Sequence, residues 1–369
     1  MNNKTAYTAD RIFTGTDMLH NHALVVADGR IENIVPAISL EESMNRKDFG
    51  DKLITAPFID LQVYGAGGRL LAEYPDAQSL QTLQEHGRKH GTAYCLPTVA
   101  TNRYGVFFKC VDAVRTYWNA GGKGILGLHI EGPWINPLRR GAHAEECIFS
   151  PTLEQVYELL DYGQGVIRMI TLAPEVCAEE VIEAVTSRGI VVSLGHSNAG
   201  YDQAMQALNR GVPAITHLYN AMSPLHHRAP GIVGAAFDHP VARASIVADG
   251  FHVDFAAIRI AKKLMGDRLF AITDAVTDTD TGYYPHKRNG DKYESNGILS
   301  GSALTMNKAA RNLCQFADVP LEEAIRMCSL YPAKVLNLGD HLGSLHIGYP
   351  AEFSVFDGEL NCMSLIENE

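Results

Sequence analysis

The sequence predicts an α/β fold: a TIM-like (β/α)8 barrel with a small β-sandwich domain formed from both termini. Three observations predict it. Eight short apolar runs recur through the middle of the chain, most followed by a helical stretch. The two ends are β-rich instead. The runs also carry polar residues at their C-terminal ends, where a barrel of this kind holds its chemistry.

The ends come first. ALVVADGRIENIVP sets two apolar runs around Asp28-Gly29, a hairpin signal. LGSLHIGYPAEFSVFDGEL has the same character. Residues 1–54 and 335–369 are therefore assigned to the small domain, and 55–334 to the barrel.

The eight runs are FIDLQVYG (58–65), TAYCLPTVA (92–100), ILGLHIEGP (125–133), VIRMITLAPE (166–175), IVVSLGHS (190–197), AITHLYNAM (214–222), ASIVADGFHVD (244–254) and LFAITDAV (269–276). Helical signals lie between them. SPTLEQVYELLD offers Ser150 as an N-cap with Pro151 at the first helical position. AGYDQAMQALNRG closes on Gly211. Eight strand–helix units over roughly 250 residues match a barrel. The rival, a doubly wound open sheet, loses ground because no GxGxxG follows the first strand. YYPHKRNGDKYESNGILSG, with Asn289-Gly290 and Asn296-Gly297, reads as a β-hairpin insertion near 283–300.

Composition narrows the function. A formal charge of -11 argues against general nucleic-acid binding, since phosphate backbones require a basic surface. It leaves room for a small anionic ligand held by a few local Arg and His side chains. Seven cysteines without a CxxC pair read as reduced thiols, not a disulfide framework. No signal-peptide core stands in MNNKTAYTADRIFTG, and no window approaches the ~18 apolar residues of a membrane span. The expectation is a soluble cytoplasmic protein without a membrane partner.

The strand ends carry Glu131 and His129 (run three), His196 (five), His217 (six), Asp249 and His252 (seven) and Asp274 (eight). A single histidine in such a place is usually a hydrogen-bonded core residue. Several on successive strands, with a carboxylate, are harder to explain that way. A carboxylate buried at a strand end is costly unless paired or bound to a metal. Glu131, His196 and His217 form a His₂Glu set of the kind that holds catalytic zinc with one position open. Iron(II), cobalt, nickel and manganese are the alternatives. His129, two residues before Glu131, faces the same side; it is either a further ligand, a residue packed one layer lower, or a support for the ligands. Asp274 is either a turn or N-cap aspartate or a general base for the attacking water.

In order, the motifs FIDLQVYGAGG, HIEGPW with GAH, LAPE, LGHS, THLYNAM, LHHRAPGIVG, ADGFHVD, ITDA and GSALTM closely resemble the N-acetylglucosamine-6-phosphate deacetylase family of the amidohydrolase superfamily. The resemblance spans about residues 54 to 350, nearly the whole chain. It implies a homodimeric hydrolase acting on a linear amide bond of a sugar phosphate, with one divalent cation, zinc first. It places metal ligands on Glu131, His196 and His217, the acid/base on Asp274, and a contact to the acetamido carbonyl on His143. Ala142, Asn220, Ala221 and His252 would line the sugar phosphate site. His227 and Arg228 would reach it across the dimer interface, and Ala303, Leu304, Thr305 and Met306 would border the sugar.

One departure matters. Many amidohydrolases carry His-x-His at the end of strand one and hold a second metal there; this chain reads Gln62-Val63-Tyr64. Gln is a poor ligand, and a neutral Tyr with pKa about 10 is worse. One ion at Glu131 is expected. The alternatives are an N-acetylgalactosamine-6-phosphate deacetylase, a dihydroorotase- or dipeptidase-like hydrolase, and a non-catalytic sugar-phosphate-binding barrel. The second usually needs the His-x-His pair and often a lysine ending strand four. Here strand four ends in Leu172-Ala173-Pro174-Glu175. The roles of Arg139 and Arg140 stay open between a loop over the site and solvated charge.

Overall fold

The computed structural model describes residues 4–295 and 297–367. Each of the eight runs supplies one strand of a single eight-stranded sheet. The barrel strands are β1 Phe58–Val63, β2 Thr92–Ala100, β3 Leu128–Glu131, β4 Ile167–Leu172, β5 Val191–Leu194, β6 Ala214–Ile215, β7 Arg243–Val247 and β8 Leu269–Ile272. Neighbours follow chain order, and the pairings from β1 to β8 are all parallel. The sheet comes round on itself at the β8–β1 seam. There Asp274 N–H donates to Gln62 O and Tyr64 N–H to Ala275 O, both at 2.9 Å. Parallel strands buried on both faces read as near-continuous apolar runs, which is why all eight were visible in the sequence.

Two local expectations change. The run 214–222 gives only a two-residue strand, because His217 (φ 35°), Tyr219 (φ 80°) and Ala221 (φ 50°) take left-handed backbone that no strand continues through. The helix Leu153–Tyr162 is capped by Thr152, not Ser150. Thr152 Oγ1 accepts from Gln155 N–H at 3.3 Å and Gln155 Oε1 from Thr152 N–H at 2.9 Å. This reciprocal box needs a Glu or Gln side chain three residues on, and Ser150 meets only Leu153 there. The helix Tyr201–Asn209 does end before Gly211, at φ 95°.

At the N-terminal end, His22–Ala27 and Arg30–Pro36 pair through the two-residue turn Asp28 (φ 48°) and Gly29 (φ 69°). They sit in a four-stranded sheet with Thr5–Thr8 and Asn45–Asp48. A five-stranded sheet runs Cys362–Ile366, Phe353–Phe356, Leu53–Thr55, Arg11–Phe13, Met18–His20. It joins the two chain ends. The sheets share one apolar layer, with Leu24 and Ile31 from the first against Ile12, Ile54, Phe353 and Val355 from the second. Phe356 stacks on Phe58 of β1 at 5.0 Å between ring centroids, coupling this layer to the barrel.

The insertion is a three-stranded antiparallel sheet, Lys287–Asn289, Lys292–Ser295 and Ile298–Ser302. Its first turn is Gly290-Asp291, so Asn289 closes a strand. Asn296 of the second turn signal lies outside the described residues. All seven cysteines are free. No described helix is long and apolar enough to cross a membrane.

Candidate active site

The polar residues at the C-terminal ends of the strands converge. Glu131 closes β3 and is 1% exposed. Its Oε1 stands 3.3 Å from His196 Nε2 and 3.1 Å from His217 Nε2, and those two nitrogens are 3.0 Å apart. Its Oε2 faces His143 Nε2 at 3.2 Å and accepts the hydroxyl of Tyr64. Burial raises a carboxyl, but the surrounding imidazoles, His196 foremost, hold Glu131 well below the usual range. Burial takes His196 down to about 4.

Backbone strain marks the same place. His196 (φ 48°), His217 (φ 35°) and Asp274 (φ 54°) are all non-glycine residues in left-handed conformation. Such conformations cost on the order of 1–3 kcal/mol each and persist where the surroundings over-determine them. Here they swing each side chain inward just after its strand ends.

Supporting hydrogen bonds fix the rings. His196 Nδ1 lies 2.9 Å from Arg139 O, which sets the proton on Nδ1 and leaves the Nε2 lone pair toward Glu131. His143 Nδ1 lies 2.7 Å from Thr101 Oγ1. Glu175, at the end of the LAPE run, accepts from Asn136 Nδ2 (2.9 Å), Ser197 Oγ (2.6 Å) and Asn198 N–H (2.5 Å). It thereby ties the loop that carries Arg139 and His143 to the turn that carries His196.

Asp274 faces this group. Its Oδ1 accepts from Gln62 Nε2 at 2.8 Å, and the same amide nitrogen donates to Glu131 Oε1 at 2.9 Å. Oδ2 is 3.8 Å from His252 Nε2, whose Nδ1 is 2.6 Å from Asp249 Oδ2. Burial lifts the Asp274 carboxyl above its ordinary value, against the pull of His217 and His252. Gln62 and Tyr64, at the end of β1, thus face Glu131 and Asp274 as hydrogen-bond donors.

A cavity of ≈ 350 Å³ opens over these groups, and Ala142, His143, Asn220, Ala221 and His252 line it with them. His129 does lie one layer lower: its Nδ1 is 3.0 Å from Leu61 O and its Nε2 2.8 Å from Thr171 Oγ1. Two groups of expected residues lie elsewhere. Ala303, Leu304, Thr305 and Met306 line a separate ≈ 600 Å³ cavity, while Leu299 and Ser300 border the site. The chain turns away at Ser302, whose Oγ donates to Thr273 O and accepts from Leu304 N–H at 3.0 Å. His227 and Arg228 lie on an exposed loop outside the cavity. Among the described residues the Arg228 guanidinium has no partner, so within one chain it does not reach the site. Arg139 lines the cavity; Arg140 reaches Glu145 at 3.3 Å instead.

Glu131, His143 and His196 each present a metal-binding atom, all within 4.8 Å of one another, and His217 closes in on the Oε1 side. Ligands of a tetrahedral cation at bond lengths near 2.0–2.1 Å stand roughly 3.3 Å apart. The 3.0–3.3 Å triangle of Glu131 Oε1, His196 Nε2 and His217 Nε2 has that spacing.

Comparison with known proteins agrees with this geometry. Residues 6–53 match the NagA composite domain and residues 53–368 the amidohydrolase family. N-acetylglucosamine-6-phosphate deacetylase of Haemophilus influenzae is 34% identical, over 97% of this chain and 96% of that protein. N-acetylgalactosamine-6-phosphate deacetylase of Escherichia coli O157:H7 is 32% identical, over 97% and 96%. The crystal structure of N-acetylglucosamine-6-phosphate deacetylase from Pasteurella multocida superposes with a TM-score of 0.95 at 37% identity, covering 99% of this chain and 98% of that one. An aspartate-to-alanine variant of the Mycobacterium smegmatis deacetylase, in complex with N-acetyl-D-glucosamine-6-phosphate, superposes at 0.91 with 26% identity over 99% and 98%. The closed parallel barrel, the strand-end cluster and these matches together establish that the chain belongs to the amidohydrolase family.

Proposed function

We propose that this protein hydrolyses the acetamide of N-acetylglucosamine 6-phosphate to glucosamine 6-phosphate and acetate, using one divalent cation. The observation that carries the reading is the triangle of Glu131 Oε1, His196 Nε2 and His217 Nε2, with Asp274 facing it across the cavity. The donor set suits a cation. Two imidazole nitrogens 3.0 Å apart, beside a carboxylate oxygen, suit positive charge between them. Zinc is the first choice for two nitrogens and one oxygen, with iron, cobalt, nickel or manganese as alternatives. Bound there, the cation lowers the pKa of a water and polarises the acetyl carbonyl.

The remaining work falls to side chains. Asp274 Oδ2, with Gln62 engaging Oδ1, takes the proton of the attacking water and returns it to the departing nitrogen. Burial raises its proton affinity, which favours the first step. His143, held through its Nδ1 by Thr101 Oγ1 at 2.7 Å, turns its Nε2 towards the site, where a proton on it can meet the developing oxyanion. Asn220 and His252 hold the sugar. Arg228 and His227, exposed and outside the cavity, suit a phosphate bound across a homodimer. Free thiols throughout suit a reducing cytoplasm. The small domain is assigned residues 1–54 and 335–369, and the barrel 55–334.

The test is acetate release from N-acetylglucosamine 6-phosphate and from its galactosamine epimer, with and without a chelator. The reading expects the glucosamine compound to be preferred and the chelator to abolish turnover. Preference for the epimer would shift the assignment to the galactosamine reaction. No turnover of either by metal-loaded protein would leave a binding barrel.

A further inference from the structure

A second, smaller cavity of ≈ 50 Å³ lies directly behind the site. Tyr64, Ala142, His143 and Ser300 line both spaces, so the two adjoin at the carbonyl end of the proposed substrate. Its other walls are mostly apolar, Leu70, Ala72, Ala100, Val276 and the ring of Tyr284, with Thr98 and His286 beside them. Leu70, Ala100, Val276 and Tyr284 are less than 9% exposed and pack as an apolar cluster separate from the main core.

Most polar atoms on its walls are already engaged. Thr98 Oγ1 meets Leu96 O and Val63 N–H, the Tyr284 hydroxyl donates to Thr101 O, and His286 Nδ1 is 2.8 Å from Ser300 Oγ. Of the polar groups contributed by Thr98, Tyr284 and His286, only His286 Nε2 has no hydrogen-bond partner among the described residues. A polar group entering would lose its water with little replacement, while an apolar one would gain from burial.

A phosphorylated N-acetyl sugar has only one wholly apolar terminus, the methyl of its acetyl group. That methyl is attached to the carbonyl carbon, whose oxygen is read above as meeting His143. We propose that this cavity is the acyl subsite, and that Leu70, Ala72 and Val276 set the length of acyl chain the enzyme accepts. The proposal rests on the deacetylase reading and adds its specificity. Each small group needs on the order of 10–15 Å³ of such space, so the cavity admits about three or four non-hydrogen atoms. Acetyl and propionyl tails enter; hexanoyl does not.

The experiment compares kcat/KM of the zinc-loaded protein on N-acetyl, N-propionyl and N-hexanoyl glucosamine 6-phosphate. Propionyl should fall within about tenfold of acetyl and hexanoyl at least roughly a hundredfold below. Leu70→Ala, which enlarges the cavity, should raise the hexanoyl-to-acetyl ratio about tenfold. Ala72→Leu, at a half-buried position that tolerates change, should lower the propionyl-to-acetyl ratio about tenfold. If acetyl is turned over but neither ratio moves more than about twofold, the acyl group lies elsewhere and the proposal is overturned. If wild-type protein releases no acetate at all, the deacetylase reading falls and the subsite with it.

Discussion

Replacing Asp274 with Asn isolates the proposed proton transfer. The amide keeps the volume of the carboxylate, and its oxygen can still accept from Gln62 Nε2 at the 2.8 Å position of Oδ1. The other position, 3.8 Å from His252 Nε2, changes from a proton acceptor to an NH₂ group. Asp274 lies outside the Glu131–His196–His217 triangle, so cation binding should survive. A positioned acid/base group contributes about 10²–10⁴ in rate. Asp274 serves in both directions, which places the loss near the upper end. At ~1.4 kcal/mol per decade, a 10⁴-fold loss of kcat is about 5.5 kcal/mol of barrier. The assay is acetate release beside elemental analysis of the gel-filtered variant. A rate within tenfold of wild type with metal still bound would refute the assignment. Loss of the metal with the activity would make Asp274 a ligand instead of the base.

Three further outcomes follow from the same geometry. His143→Ala removes the Nε2 donor beside Glu131 and should cost ~3 kcal/mol, about a hundredfold in kcat with KM little changed; steady-state kinetics showing only a KM effect would contradict that role. Glu175→Gln leaves one oxygen where two serve Asn136, Ser197 and Asn198, and should weaken metal retention by about 10- to 100-fold in a chelator titration, while an unchanged affinity would show the turn holds itself. Asp60 is 4% exposed, and burial raises its carboxyl to about 7 against hydrogen bonds from Thr273 and Gln62. The folded chain therefore binds this proton more tightly than the unfolded chain, so its contribution to stability is largest at acid pH and falls as pH rises from about 4 to 7. Asp60→Asn should remove a pH-dependent difference of about 2.7 kcal/mol, two pH units at ~1.36 kcal/mol each, from urea titrations at pH 5 and 8, and parallel pH profiles for the two proteins would refute it.

The strands and the strand-end cluster were legible because each rests on local sequence. A buried parallel strand is a short apolar run, and Glu131, His196, His217 and Asp274 each follow one at the loop. What escaped depends on partners far along the chain. Glu175 stands at a strand end like the others, but its role appears only when Asn136 and Ser197 are brought to it. Thr101 gained meaning only from His143. The stretch Ala303–Met306 was expected beside the sugar because it belongs to the resembling motif, and the turn at Ser302 carries it to the neighbouring cavity. Ser150 looked like a cap by residue type alone, whereas Thr152 wins by having Gln155 in reach.

The five-stranded sheet has a consequence for how the protein is made. Leu53–Thr55 leaves the ribosome about 300 residues ahead of its neighbour Phe353–Phe356. Translation at about 5–20 residues per second separates them by tens of seconds. Throughout that interval Ile12 and Ile54 lack the cover of Phe353 and Val355, and the Leu53–Thr55 edge stands unpaired. Every nascent chain thus carries a sticky, half-built sheet while its catalytic barrel is still emerging, and a fragment truncated before residue 353 would keep that aggregation-prone edge for life.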